Sequence, residues 1–151
     1  MKLTIIAIGR MGKDPEADII DRYLKRLPKT TQIIELEERR PIKGDERKKR
    51  EGEKILAAIP DGSFVVALDE RGKQMRSTQF AQKCAQWQDS HGHITFLIGG
   101  ADGFSQEVFE RADSRLSFSD MTWPHMMVRA MLIEQLYRAS TILSGHPYHK
   151  D

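Results

Sequence analysis

With 151 residues, 39% hydrophobic and 30% charged, the chain has the length of one domain and the balance of a folded protein, which excludes a disordered polymer. A formal net charge of +2 excludes a general polycation, and the single cysteine, Cys84, excludes an intramolecular disulfide. No apolar run approaches the roughly 20 residues of a membrane span, and the opening run is short for a secretory signal and lacks a small-residue cleavage site. A soluble, cytoplasmic protein in a reducing compartment is expected.

Leu3–Ile8 is rich in β-branched residues and bounded by Gly9 and Gly12, the pattern of a buried strand. Asp14-Pro15-Glu16 predicts a helix start: Asp can cap free amides, Pro suits the first position, and Glu suits the positive end of the dipole. That helix is expected to run through Ile19, Ile20, Tyr23 and Leu24 to Pro28, with Gln32–Leu36 following as a second strand. Residues 39–50 then turn basic, with Arg39, Arg40, Lys43, Arg47, Lys48, Lys49 and Arg50 opposed locally by Asp45 and Glu46 alone. A helix over 45–58 places Arg47, Arg50 and Lys54 on one face, and Ile55, Leu56 and Ile59 predict packing of its second half only. Pro60-Asp61-Gly62 is a turn.

Residues 64–68 form a strand without polar alternation, which implies cover on both faces. Ser77 is expected to cap a helix carrying Phe80, Ala81, Cys84 and Trp87 at helical spacing. Ile94–Ile98 is another continuous apolar strand, followed by Gly99-Gly100-Ala101-Asp102-Gly103 and a short helix over about 105–112. Residues 115–118 suggest a last short strand. Pro124 opens a helix to about Ser144, and Gly145 and Pro147 are its stop signals. Alternating strands and helices predict a single α/β domain over 1–151, with a mainly parallel sheet and helices on both faces.

In such sheets ligands bind beyond the carboxyl ends of the strands. Three loops qualify: Asp69-Glu70-Arg71-Gly72-Lys73, then 99–103, then 119–124. The glycine loop is neither a Walker A loop, lacking Gly-Lys-Ser/Thr, nor a dinucleotide fingerprint, since it comes late in the chain. It reads either as a tight turn into a helix or as a place where backbone amides approach a ligand.

Several blocks together carry a family likeness. They are Leu68-Asp69 with Gly72-Lys73, Ile98-Gly99-Gly100 with Gly103, Leu116-Ser117-Phe118-Ser119 with Met121-Thr122, and Pro124-His125 with Arg129. Glu134-Gln135-Leu136-Tyr137-Arg138-Ala139 and Pro147-Tyr148-His149-Lys150 complete them. In this order, over essentially the whole chain, they resemble the RlmH family, small bacterial SPOUT-class methyltransferases of large-subunit ribosomal RNA. The resemblance implies a trefoil knot near the C-terminus, an exception to the rule against threaded chains. It implies S-adenosylmethionine in the knot, held largely by backbone groups of Leu68, Gly100, Phe118, Ser119, Asp120, Met121, Thr122 and Trp123, with Gly99 beside them. It also implies a homodimer whose active sites are completed near the partner chain, and N3-methylation of a pseudouridine of 23S rRNA on the assembled ribosome. No metal and no membrane enter.

The residues themselves add candidates. Methylating a ring nitrogen requires its proton to leave, so a base or a cation should stand close. His125, at the start of the last helix, fits a base held neutral by the dipole, or a group that only packs at the turn. Arg138 in an apolar helix needs a partner, which could be substrate, Glu134 or the other subunit. Tyr148 and His149 can stack on or bond to an unstacked base, and are expected to fold over the pocket's mouth. The pairs His91/His93 and His146/His149 lack the further ligands of a metal site. Met126, Met127 and Met131 suit the core or a dimer seam. The basic segment suits either a solvated face, with pairs such as Glu46 and Arg50, or RNA phosphates, with Arg10, Arg22, Lys25 and Arg26 adding to that surface. Trp123 is larger than the likeness leads one to expect, and Asp151 adds a carboxylate that would weaken the tail's contact with RNA. Two other functions stay open on the residues alone: a ribosome-binding protein without catalysis, and a nucleotide-binding oxidoreductase, for which Gly9-Arg10-Met11-Gly12 is a poor turn.

Overall fold

The computed structural model describes residues 1–150, so Asp151 and the expectation attached to it lie outside the described residues. Five strands and five helices alternate: β1 (Leu3–Ile8), α1 (Pro15–Leu24), β2 (Gln32–Leu36), α2 (Gly44–Ala58), β3 (Phe64–Lys73), α3 (Ser77–His91), β4 (Ile94–Ile98), α4 (Gln106–Arg111), β5 (Ser114–Leu116) and α5 (His125–Ser144). The strands form one sheet, ordered β2-β1-β4-β3-β5, and every pairing is parallel. Parallel neighbours need crossovers, and the helices that make them cover both faces. Leu3, Ile5 and Ala7 of β1, with Val66 and Phe96, join a core beneath α1, α3 and α5. Ile6, Ile8, Val65, Ala67 and Leu97 join a smaller core beneath α2 and α4. Period-two alternation thus sends apolar residues both ways, so the strands read as unbroken apolar runs.

Several boundaries differ from expectation for local reasons. The first helix stops at Leu24 instead of Pro28, because Arg26 and Leu27 donate to Tyr23 and Leu24, tighter i to i−3 bonds that close it. Asp14 stands at its N-cap, yet only the Asp14 carbonyl is used, by Ala17 at 2.9 Å. Ser77 does not cap α3. The cap is Arg76, whose N–H is taken by Gln79 Oε1 at 2.8 Å, and the Ser77 hydroxyl donates to Gln135 of α5 at 2.8 Å. Packing of α2 begins at Glu51 and Gly52, ahead of Ile55.

The largest departure is β3, which continues through the segment expected to be a loop. Leu116 of β5 pairs with Leu68 and again with Lys73, so residues 69–72 arch out of the ladder and return to the same strand. Ser117 seals the arch, its N–H donating to Lys73 O at 3.0 Å and its hydroxyl to Glu70 O at 3.0 Å. The last strand starts earlier than expected because Asp113 joins it: Asp113 N–H donates to Val65 O, and Val65 N–H donates to Asp113 Oδ2, both at 2.8 Å. Phe118 is released into the following loop.

At Gly72 the arch lies backbone against backbone. A Cβ there would stand 2.7 Å from Arg115 C and 2.8 Å from Leu116 N. Neither strand can give way without breaking the ladder. Gly72→Ala should therefore cost about 3 kcal/mol, the upper end for overpacking, read as a lowered urea midpoint.

Candidate functional site

A cavity of about 410 Å³ opens beyond the carboxyl ends of β4, β3 and β5. Those strands are neighbours, so the three loops singled out from the sequence converge there. Leu68, Gly99, Gly100, Phe118, Ser119, Met121, Thr122, Trp123 and His125 all line it. Asp120 does not. Its Oδ1 accepts from Gln74 Nε2 at 2.8 Å and ties the loop to the segment leaving β3.

The glycines are explained by what lies behind them. A Cβ on Gly99 would stand 3.2 Å from the Phe104 ring, and one on Gly100 would stand 3.0 Å from Ile8 and 3.2 Å from the Glu51 carboxyl. Close packing on one side draws the loop down, and the cavity borders the glycine backbone. Gly103, at φ 81°, then turns the chain back so that its N–H donates to Gly100 O at 3.1 Å. On the facing loop, Ser119 Oγ collects Met121 N–H at 3.1 Å and Trp123 Nε1–H at 2.8 Å, while Thr122 donates to Glu70 Oε2 at 2.6 Å. The bend is thereby fastened to the arch, while Met121 stays 71% exposed.

His125 reaches this cavity from the start of α5. Burial, then the nearby Arg129 charge, hold its pKa below the usual imidazole value, so it is neutral at neutral pH. Its Nδ1 is buried without a hydrogen-bond partner. Arg129, 2% exposed, is anchored by Glu35 of β2 and donates to Gly9 O at 3.1 Å. Glu35 also accepts Met11 N–H at 2.8 Å. Burial of Glu35 would raise its pKa, but the Met11 bond and Arg129 outweigh that and lower it.

Arg138, Tyr148 and His149 lie elsewhere, correcting the expectation that the tail covers this mouth within one chain. Tyr148 donates to Glu134 Oε1 at 2.8 Å and meets the Tyr23 hydroxyl at 3.3 Å, beside the Tyr137 ring. Arg138 pairs with Glu134 at 2.7 Å, lies over the Tyr148 ring at 4.8 Å, and meets His149 Nδ1 at 3.0 Å. Guanidinium only donates, so that Nδ1 accepts. The Glu134 bond pushes the Arg138 pKa up, and burial pushes the Tyr148 pKa up, so one stays cationic and the other protonated. Thirteen residues separate His125 from Arg138, about 20 Å along a helix.

The basic segment is largely matched by carboxylates just before it, within α2 and at Asp102. Arg39 pairs with Glu37, Arg40 and Lys54 with Glu38, and Arg47 with Glu51 and Asp102. Arg50 pairs with Glu53, not with Glu46. Glu51 escaped the sequence reading, and Asp69 entered it only as the start of a candidate loop and in a family block. Glu51, 2% exposed, presses on Gly100, and burial raises its pKa against the pull of Arg47. Asp69 lines the cavity with a buried Oδ2 that accepts no hydrogen bond. A charged residue at a strand end was the available signal for Asp69; for Glu51 there was none. Of the histidine pairs, His93 Nε2 meets Thr4 Oγ1 at 2.8 Å and His146 Nδ1 accepts Tyr148 N–H at 3.2 Å. Among the described residues, no helix is long and apolar enough to cross a membrane.

Comparison with known proteins finds relatives over nearly the whole chain. A family model described as "Predicted SPOUT methyltransferase" matches residues 1–149. The chain is 50% identical to the ribosomal RNA large subunit methyltransferase H of Paramagnetospirillum magneticum, over 99% of both chains. It is 47% identical to the protein of that name from Rhodospirillum centenum, over 99% of both, and 47% identical to that of Zymomonas mobilis, over 100% of this chain and 99% of the relative.

The buried Arg129 makes Glu35 testable. With its pKa lowered by folding, Glu35 contributes stability above the ordinary carboxylate range, and that contribution is lost as pH falls through the depressed value. Glu35→Gln should cost about 2 kcal/mol at pH 7, a reduced figure for a broken buried pair because Glu35 is partly exposed. The gap between variant and wild type should close in acid, as followed by denaturant unfolding across pH.

Proposed function

Because the chain belongs to the SPOUT methyltransferase family, we propose that it transfers a methyl group from S-adenosylmethionine to N3 of a pseudouridine in 23S ribosomal RNA, as a homodimer acting on the assembled ribosome. The observation that carries this reading is the convergence of the glycine loop, the arch and the 118–123 bend on one cavity with a neutral histidine at its edge. The printed name of the relatives supports the RNA substrate. The family also implies the C-terminal knot.

The residues fit the methyl donor. The cavity combines apolar walls from Leu68 and Phe118, glycine backbone at Gly99 and Gly100, and a few fixed polar groups, as a mixed adenine and amino-acid ligand requires. Ser119, Met121, Thr122 and Trp123 would close the other side, with Asp120 bracing their loop from outside. When bound, S-adenosylmethionine supplies a methyl group whose bonding pair stays on sulfur, while N3 forms the new bond and gives up its proton. His125, held neutral, has the protonation state of a base. Arg138 is cationic and suits the negative charge that builds on the uracil oxygens as N3 loses its proton. Tyr148, held protonated, serves as a donor, and His149 completes that cluster.

One chain separates these two groups, and a dimer can reunite them. Two α5 helices packed antiparallel would set the His125 end of one beside the Arg138 and Tyr148 cluster of the other. The exposed apolar Met127, near the His125 end of α5, supports such a seam. The oxidoreductase reading loses its turn, because the Gly9 and Met11 N–H groups after β1 already donate to Leu36 O and Glu35.

Calorimetry should find saturable S-adenosylmethionine binding to the wild type; a folded dimer that binds none would favour a non-catalytic ribosome-binding role. Ala101→Trp, which fills the cavity from an exposed position, should abolish that binding, while Arg138→Ala should keep it. Each variant should fail to methylate purified ribosomes alone, yet the two refolded together should recover activity. A mixture that stays inactive would argue that each site lies within one chain.

A further inference from the structure

Resting on the methyl-donor reading, the cavity's charges point to a residue that distinguishes donor from product. Lys48, Asp69, Glu70, Arg71, Asp102 and Arg115 are its charged lining groups. Glu70 accepts from Thr122 at 2.6 Å, and Asp102 pairs with Arg47 at 3.9 Å. Asp69 differs. Its side chain is 17% exposed, its Oδ2 is buried without a hydrogen bond, and its ion pair with Arg115 is long, at 4.0 Å. That Arg115 guanidinium lies over the Phe109 ring at 3.9 Å and is nearly half exposed, so it neutralises Asp69 incompletely. A largely buried carboxylate met only by one long ion pair is costly, and a positively charged ligand in the cavity that Asp69 lines would offset that cost.

The methyl donor is one unit more positive than its demethylated product, because the sulfonium becomes a neutral thioether. We propose that Asp69 is a specificity-determining residue whose carboxylate reads this charge, holding S-adenosylmethionine and easing release of S-adenosylhomocysteine. Asp69 follows directly on Leu68 at the start of the arch, so the backbone that holds the ligand also aims the carboxylate. Arg115, entering the same cavity from β5, moderates the effect with opposite sign.

Calorimetric Kd values for both ligands, on wild type, Asp69→Asn and Arg115→Gln, test this. The readout is the ratio of the S-adenosylhomocysteine Kd to the S-adenosylmethionine Kd. At the effective dielectric of protein sites, one unit charge acting across such a cavity is worth about tenfold in this ratio. The ratio should fall by about that factor in Asp69→Asn and rise in Arg115→Gln. A packing role would weaken both ligands equally and leave the ratio unchanged, which overturns the proposal. An unchanged ratio in Arg115→Gln also overturns it, independently of how well Asp69→Asn folds. If the wild type binds neither ligand, the methyl-donor reading itself fails; if it binds both and the ratios stay fixed, only the role of Asp69 does.

Discussion

The doubled pairing of β3 with β5 is the constraint from which the site follows. Leu116 faces Leu68 and, four residues of arch later, Lys73. A single backbone hydrogen-bond ladder is thereby used twice, and the arch has nowhere to go but out over the carboxyl end of the sheet. Leu68 and Asp69 stand at its base, and Glu70 at its crest fastens Thr122 of the loop opposite. Gly72 permits the closeness, since any side chain would meet the backbone of Arg115. The cavity is therefore a product of main-chain geometry, and the side chains that line it are placed by bonds made elsewhere.

Charge follows the same logic. Arg129 is buried at the heart of the fold and held by Glu35 and the Gly9 carbonyl, which links α5 to the ends of β1 and β2. Its field, together with burial, keeps His125 neutral. One structural ion pair thus sets both the position of the last helix and the protonation state of the residue at its start. On the other face Glu51, also buried, backs Gly100 and is reached by Arg47 from one turn earlier. The glycine loop is gripped from behind by α2, leaving its backbone to border the cavity.

The far end of α5 has a separate polar cluster with its own internal order. Glu134 gathers Arg138 and Tyr148, and aromatic contacts with Tyr23 and Tyr137 hold the tail onto α1 and α5. A half-buried carboxylate that satisfies a guanidinium and a phenol keeps the former charged and the latter protonated. None of these residues lines the cavity, so within one chain the cluster stands apart from it.

Much of this was legible before any coordinates. Continuous apolar strands alternating with capped helices specify a parallel α/β sheet, because hydrophobic period and turn chemistry are local properties of the residues that carry them. The three loops at the strand ends were legible for the same reason, and so were most cavity-lining residues in 118–123. What remained hidden depends on neighbours far apart in sequence. Residues 69–73 look like a loop because nothing local announces a second pairing with β5. Lys54 looks unopposed because Glu38, just past β2, meets it only when α2 packs beside that strand. Tyr148 looks like a lid because a tail's direction is set by what it lands on, here Glu134 and Tyr23. The sequence by itself determined the elements and the edge of the sheet where chemistry belongs. Only the tertiary structure decided which charges are neutralised, how incompletely Asp69 is paired in the cavity, and how far the Arg138 and Tyr148 cluster stands from it, since each depends on distances that the chain acquires by folding.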